Sequence, residues 1–553
     1  MSSGIGPTPP SAPAPTAADS IAPNARTERL NTKAAGVIGL AVMCSRVLGL
    51  ARDQLFAALF GVGGMDAFLA AFRIPNLLRD LFAEGALSTA FVTTFTKTIA
   101  RDGDDAAWRL ANKVATLTLV VLGSICIVGM LFSSQIVAAM APGFPPAKAA
   151  LTAQLTTIMF PFIVMVSMAA LVMGMLNAKS VFGMPAMASS FFNIGSIVGG
   201  VALAFWIDPQ FKQHALIGIA YGTLIGGALQ LAVQVPSLSR LGFHYRPDFR
   251  WRDPGVSAIL RLMGPSVIAA STTQFNVLIN SIFASTLGEG AITWLAFAFR
   301  LMQLPLGLFG VALGTVTLPL LSRLVVAGHM DGFRAELARA IRLMFLLTIP
   351  STIGLMMLAE PIMSVLYQHG KFDAHEAAQA GGALRFYAIG LAGYAALKVL
   401  VNAFYALDRR KTPMFVSFLA VALNLLFNWI FTFQLHWGHL GLAFSTGLVA
   451  SCNFLLLYVL MYRQLHGLEL GRMMVLLAKS IVAGAALAAV CGVSVHWPLA
   501  NWASETFWYK SGLLFGTILA AGLAFLAVGT ALRIEELQDL STLVKRRVLR
   551  RRG

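Results

Sequence analysis

Two short stretches of this chain put arginine and aspartate where lipid is expected. Residues 45–53 read SRVLGLARD and residues 73–80 read RIPNLLRD. Each gives an Arg, five intervening residues, a second Arg and an Asp, inside runs that otherwise carry almost no charge. At roughly 1.5 Å per helical residue the two Arg of a pair stand about 9 Å apart along the axis, and the first Arg shares nearly one face with the Asp seven residues on. The embedded acids are Asp53, Asp66, Asp80 and Glu84; the embedded cations are Arg46, Arg52, Arg73, Arg79, Arg300 and Lys398. Each such charge costs roughly 2.5–3.5 kcal/mol at a bilayer centre, so these groups must face one another or a wet chamber. Two readings follow. Carboxylates neutralise individual arginines and lock helices together, or the surplus of cations receives an anion. Arg suits the second role because its planar fork grips phosphate bidentately and keeps its proton. A net-positive buried cluster without a ligand is expensive, which favours the second reading for the set as a whole.

The elements that must position these groups are membrane helices. The 553 residues are 57% hydrophobic and 12% charged, with mean hydropathy +0.75, far from the usage of a water-soluble domain. Windows of about 20 apolar residues, matched to a hydrocarbon core of about 30 Å, give an all-α polytopic protein with fourteen transmembrane helices. Their spans are 35–60, 66–100, 107–132, 151–177, 183–206, 215–238, 255–286, 291–322, 341–358, 382–406, 413–433, 440–462, 474–496 and 508–532. Pro161, Pro265, Pro305 and Pro350 fall inside spans, as polytopic bundles tolerate.

The net charge of +17 reports topology. With residue 1 in the cytoplasm, the outward loops hold Lys148, Lys212, Lys371 and Lys510, whereas the inward loops and tails hold Arg240, Arg246, Arg250, Arg252, Arg409, Arg410, Lys411 and the terminal KRRVLRRR. This is the positive-inside pattern, with both termini cytoplasmic; the excess points to anionic lipid headgroups and away from nucleic acid. Residues 1–34 read as a disordered tail without a signal peptide, and 533–553 as a basic tail. The four cysteines lie in predicted spans without a CxxC pair, so neither a disulfide framework nor a zinc site is indicated.

An internal repeat organises the rest. At an offset of 227 residues, AFRIPNLLRDLFAEGAL (71–87) overlies AFRLMQLPLGLFGVALG (298–314), matching Arg73 to Arg300, and QLFAALFG (54–61) overlies SIFASTLG (281–288). Two parallel six-helix lobes follow: 35–239 and 255–465, joined by a basic, aromatic connector at 240–254 expected to lie on the membrane surface, with 466–532 holding two further helices. A repeat of this kind is the usual build of an alternating-access transporter. Other candidates are weaker. His369 with His375 and His436 with His439 read as surface residues, leaving a metal unassigned; no GxxxxGK[ST] occurs; Asn276, Asn280, Asn424 and Asn428 either line a polar cavity or glue helices; and the amphipathic loop 359–381 is expected at the outer interface.

SRVLGLARD, MDAFLAAFRIPNLLRDLFAEGALSTAFV, QHGKFDA and KVLVNAFYALDRRKTP closely resemble the MurJ (MviN) lipid II flippase family of the multidrug/oligosaccharidyl-lipid/polysaccharide exporter superfamily, over residues 35–532. The resemblance implies fourteen helices in a V-shaped pair of lobes, a central cationic cavity, and a groove along 466–532 for the undecaprenyl tail. It implies functionally required charges at Arg46, Arg52, Asp66, Arg79 and Arg300, with Glu84 and Lys398 on charged positions and Asp53 and Arg73 beside them. Some relatives carry a basic residue at Asp80, an acid at Phe299 and Glu at Gln303, so switch salt bridges around Arg300 do not transfer. Spans 255–286 and 413–433 hold no carboxylate, which argues against a sodium site built on acids there.

The expected activity is therefore flipping of lipid II, the undecaprenyl-diphosphate disaccharide-pentapeptide, across the bacterial inner membrane for cell-wall synthesis. The arginines capture the diphosphate, and Asp66 and Glu84 pair with them when it is absent. No cofactor is implied; membrane potential or an ion gradient supplies energy. Anionic phospholipids and cell-wall synthesis proteins are the expected further partners. An exporter of another lipid-linked oligosaccharide or amphiphile is the alternative within transport. A membrane enzyme acting on polyprenyl diphosphates is the alternative outside it, and the outer loops lack the clustered acids that it needs. The charge pattern predicts that a cysteine at Lys510 reacts with an impermeant maleimide from outside the membrane, whereas one at Arg250 reacts only after permeabilisation; the reverse labelling would invert the topology.

Overall fold

The computed structural model describes residues 25–81, 87–497, 499 and 506–538; Glu84 and most of both expected tails lie outside them. Every regular element among these residues is helical. The expected disordered tail 1–34 is corrected at its end, because the first helix already begins at Ala25.

Two long helical runs are hairpins. Ala25–Leu78 contains Gly61 at φ 65°, and Ser88–Leu131 contains Gly103 at φ 81°. Phe56 and Phe68 would lie about 18 Å apart along a straight helix. Their ring centroids are 5.9 Å apart, so the chain reverses at Gly61. Phe95 and Trp108, at 5.4 Å, show the same reversal at Gly103. Only glycine adopts such a left-handed φ without steric cost. By length and composition the described residues hold eleven helices able to cross a membrane, or up to twelve if the bent pair Ala374–Ile389 and Leu391–Ala406 is one span. The fourteen expected spans thus do not appear as fourteen separate helices: hairpins merge some, and the 32-residue helix Pro254–Ser285 is not among the eleven.

Small residues set the packing within the first half. Gly218, Gly222 and Gly226 on Leu216–Ala232 face Gly183–Ile207 so closely that a Cβ on Gly222 would meet the backbone of Gly200. Membrane helices gain little from expelling water, so such close backbone approach supplies the contact energy. In the second half aromatics do this: Phe297 stacks on Tyr367 at 4.3 Å and packs with Phe372 at 5.9 Å. Tyr367 and Phe372 are fully buried, so the apolar side of the amphipathic segment 359–381 packs on the protein body, while Lys371 and Asp373 stay exposed.

The helices Leu470–His496 and Phe507–Ala531 pack on each other and on Met330–Met357. Arg342, 8% exposed, fastens their ends by donating to Glu469 at 2.5 Å and Glu536 at 2.6 Å.

The connector, expected as a strap on the membrane surface, is tied to the helix face that carries Asn112, Lys113 and Thr116. The Arg246 amide donates to Asn112 at 2.9 Å, the Asp248 amide to Thr116 at 3.1 Å, and Lys113 to Asp253 at 2.6 Å. Asp253 also caps Pro254–Ser285 by accepting from Gly255 and Val256. Partial burial works against the charge on Asp253, but Lys113 and the Gly255 and Val256 amides outweigh it and hold the carboxyl below its ordinary value. Asp248, forked by Arg250, is pushed down to about 2. A carboxyl with a depressed folded pKa stabilises above its unfolded value of about 4 and loses that contribution as pH falls through the folded value. The connector is expected to keep its slow amide hydrogen exchange down to about pH 4 and to lose it below that, with Asp253→Asn abolishing the dependence.

Candidate functional site

Helical rise measured from Gly61 places Arg52 about 13 Å, Arg73 about 18 Å, Arg46 about 22 Å and Arg79 about 27 Å from that reversal. All four therefore lie at membrane depth on one hairpin. Facing it from the second half is Ala291–Pro305, which carries Arg300 and continues into the π-turn Leu306–Gly310. Pro305 lacks the amide that a regular helix needs there, and the turn widens accordingly.

The two halves meet through these charges. Arg300 pairs with Asp53 and donates to the Gly49 carbonyl at 3.4 Å, yet 42% of its side chain remains accessible. Arg52 reaches the same Asp53 at 3.1 Å and lies 5.3 Å from the Phe192 ring centroid. Arg79 holds Asp80 at 2.8 Å, and Asp80 accepts from Gln274 of the second half at 3.2 Å. The Arg46 guanidinium lies against Gly307, where any Cβ would meet it, and Lys398 lies against Gly310. Arg46 and Lys398 are exposed and within Coulombic reach of each other, as are Arg52 with Arg79 and Arg52 with Arg300. Among the described residues Arg46, Arg73 and Lys398 have no carboxylate within ion-pair distance, and the Arg73 Nε has no hydrogen-bond partner. Six cations thus converge where Asp53 and Asp80 are the described carboxylates. Such a surface can bind a multivalent anion through several forked contacts.

Asp66 is elsewhere. The expectation that it pairs with the arginines is not what the structure has: its carboxylate is fully buried near the Gly61 reversal and accepts from Gly290 N at 2.7 Å, Thr293 N at 2.9 Å, Thr293 Oγ1 at 2.7 Å and Lys148 Nζ at 3.0 Å. The first two donors are amides at the N-terminus of Ala291–Pro305, where a negative charge is favoured. Nearby, the Lys371 amide donates to Ala58 O at 2.8 Å, Lys371 Nζ to Phe211 O at 2.7 Å, and Gly143 N to Ser285 at 3.4 Å. Among the described residues, the hydrogen bonds and ion pairs linking 35–239 to 255–465 lie in this latch or at the arginine level. At the other end the connector supplies the link.

The sequence offered Lys148 and Lys371 only as sparse outer-loop charges and did not single out Thr293, Gln274 or Glu289. The repeat held the missing signal, since Thr293 lies 227 residues after Asp66 and Gly288, at φ 94°, lies 227 after Gly61. Asn280 and Asn428 act as interhelical glue, Asn428 donating to Asn280 at 2.7 Å and Asn280 to Thr446 at 3.1 Å; Asn424 accepts from Asn428 at 3.1 Å within its own helix, and the buried Asn276 Oδ1 has no hydrogen-bond partner. His439 is packed on Trp294, ring centroids 4.8 Å apart, and is not a surface residue. Among the described residues no three His, Cys, Asp or Glu side chains are grouped to hold a metal.

Comparison with known proteins agrees with this geometry. A family model described as "Lipid II flippase MurJ" matches residues 56–510. The lipid II flippase MurJ of Burkholderia cenocepacia is 38% identical over 424 residues, covering 75% of this chain and 81% of that protein. The probable lipid II flippase MurJ of Vibrio cholerae is 36% identical over 512 residues, covering 90% and 94%. In fold, a solved lipid II flippase MurJ in an inward closed conformation superposes with a TM-score of 0.73 at 24% identity, over 91% of this chain and 99% of that one. An inward-facing MATE multidrug transporter gives a TM-score of 0.66 at 14% identity, over 78% and 98%. The chain belongs to the lipid II flippase MurJ family.

Proposed function

We propose that this protein flips lipid II across the bacterial inner membrane by alternating access between the halves 35–239 and 255–465, with its basic end in the cytoplasm. The observation that carries this reading is the gathering of Arg46, Arg52, Arg73, Arg79, Arg300 and Lys398 at the seam between the halves, against Asp53 and Asp80. A diphosphate is the part of lipid II that such a surface recognises.

The headgroup enters from the basic end while the latch at Asp66 keeps the opposite end shut. Asp53 and Asp80 hold Arg52, Arg300 and Arg79 when no diphosphate is present, taking over the part expected of Asp66. The diphosphate competes with them for the same forks, and the charge that it brings favours drawing the halves together at the basic end. Opening the other end then breaks the contacts of Asp66 with Gly290 and Thr293, while Lys148, on the same half as Asp66, keeps its carboxylate paired. Movement of the cationic segments in the membrane field offers an energy input, about 2.3 kcal/mol per charge for 100 mV. The undecaprenyl tail stays in the bilayer or along 466–532, and anionic inner-leaflet lipids and cell-wall synthesis proteins are partners of the basic end.

Arg52→Ala and Arg300→Ala are each expected to reduce flipping in a lipid II vesicle assay by about 10- to 100-fold, the scale of a lost charge-assisted pair, while insertion stays normal. Normal transport in either variant would remove the clamp from the mechanism. A Gly63→Cys, Glu289→Cys pair, whose positions face each other beside the latch, is expected to form a crosslink that stops transport and to recover on reduction. Transport with the crosslink intact would show that this end does not open.

A further inference from the structure

The search for a second ligand site leads to the far end of the protein from the latch, where Leu470–His496 begins and the chain leaves Phe507–Ala531. A cavity of about 210 Å³ lies there, lined by Arg472, Val475, Lys479, Ile534, Glu535 and Glu536, with Gly471 leaving its edge open. It is smaller than the pockets that hold drug-sized ligands, roughly 300–1,000 Å³, and it suits a compact headgroup better than a disaccharide.

Its frame is prebuilt. The buried Arg342 grips Glu469 on one rim and Glu536 on the other, and Lys479 Nζ donates to the Arg533 carbonyl at 3.2 Å. Glu469 at φ 44° and Arg533 at φ 51° both adopt the left-handed region, which costs energy in residues other than glycine and is retained only where the surroundings fix it. With Glu536 committed to Arg342, the charges available to a ligand are Arg472, Lys479 and Glu535. Arg472 is 68% exposed and its carboxylate contact, to Glu469, is a loose 3.7 Å; Glu535 is exposed.

Position and surroundings identify the ligand class. The cavity sits at the ends of two membrane helices, at headgroup level, and the exposed apolar side chains Leu470, Met474, Val475, Ile481 and Val482 run from it along the lipid-facing surface. A ligand seated there has its polar part among two cations and one acid, and its chains along that surface. We infer that this cavity is a binding site for a bilayer phospholipid with a primary amine in its headgroup, of the phosphatidylethanolamine class. The phosphodiester lies between Arg472 and Lys479, and the ammonium donates to Glu535. A phosphatidylglycerol headgroup satisfies the cations but offers Glu535 only neutral hydroxyls in place of an ammonium. The quaternary ammonium of phosphatidylcholine has no N–H to donate. The site is separate from the arginine seam and does not depend on the flipping reading.

The test is native mass spectrometry of the purified full-length protein, titrated in parallel with phosphatidylethanolamine, phosphatidylglycerol and phosphatidylcholine of matched chains. The amine lipid is expected to be retained about two- to fivefold better than the other two, the scale of a partly exposed ion pair. Glu535→Gln is expected to erase that preference while leaving phosphatidylglycerol binding unchanged, and Arg472→Gln to weaken both. Both side chains are exposed, so the variants should fold, and an unchanged melting temperature without lipid checks it. Equal retention of the three lipids, or a preference that survives Glu535→Gln, would overturn the assignment. Loss of flipping in Arg52→Ala with lipid retention intact separates this site from the clamp.

Discussion

A guanidinium cannot be left in hydrocarbon, and this chain has five at membrane depth together with an ammonium. Their placement follows from that constraint. On the Gly61 hairpin Arg46 lies against the turn that follows Ala291–Pro305, and that helix turns its own arginine back toward Asp53. Gly307 and Gly310 supply the space: without side chains they let Arg46 and Lys398 lie against the backbone of a π-turn that Pro305 has already widened. The seam is thus an electrostatic compromise in which Asp53 and Asp80, the described carboxylates there, steady Arg52, Arg300 and Arg79. Its accessible remainder is what an anionic headgroup can use.

Much of this was legible in the residues. Apolar windows located the helices, and the paired Arg–x5–Arg–Asp spacing located the cations, because burying charge in a membrane is costly enough to leave few accidental instances. The function class followed from the surplus of cations over acids. Partnerships were harder to read. Asp66 carries the same symbol as Asp53 in a sequence, yet its neighbours arrive from 82 and more than 220 residues away, through backbone amides that no side-chain pattern records. The segment 359–381 read as amphipathic, but the partner of its apolar side, Phe297 against Tyr367 and Phe372, was not legible from the segment itself. The expected breaks between spans 35–60 and 66–100 and between 66–100 and 107–132 fall at Gly61 and Gly103, where the runs double back, because a turn interrupts the apolar window as well as the helix.

The ends of the protein are built on different principles. Near Gly61, backbone donors and one buried carboxylate make a joint whose bonds between the halves are directional and are lost once the halves part. Around the connector and Arg342, the joints are ion pairs between segments of like destination, able to stay closed while the halves move. The terminal helices are fixed to the second half by Arg342, and the connector to the first by Lys113 and Asn112, so each half carries its own accessory with it.

The bond between Asp66 and Thr293 joins residues that are counterparts in the repeat, 227 positions apart. In two identical chains related by a two-fold axis, a residue can touch its own image only beside that axis, where both partners must be the same amino acid. Two aspartates would repel there and two threonines would bond weakly, so a strong closure at that point is out of reach for a symmetric pair. Joining the copies into one polypeptide removes the restriction, letting one side become an acceptor and the other a donor. The strength of this seal rests on two corresponding positions holding different residues, which a symmetric pair does not allow.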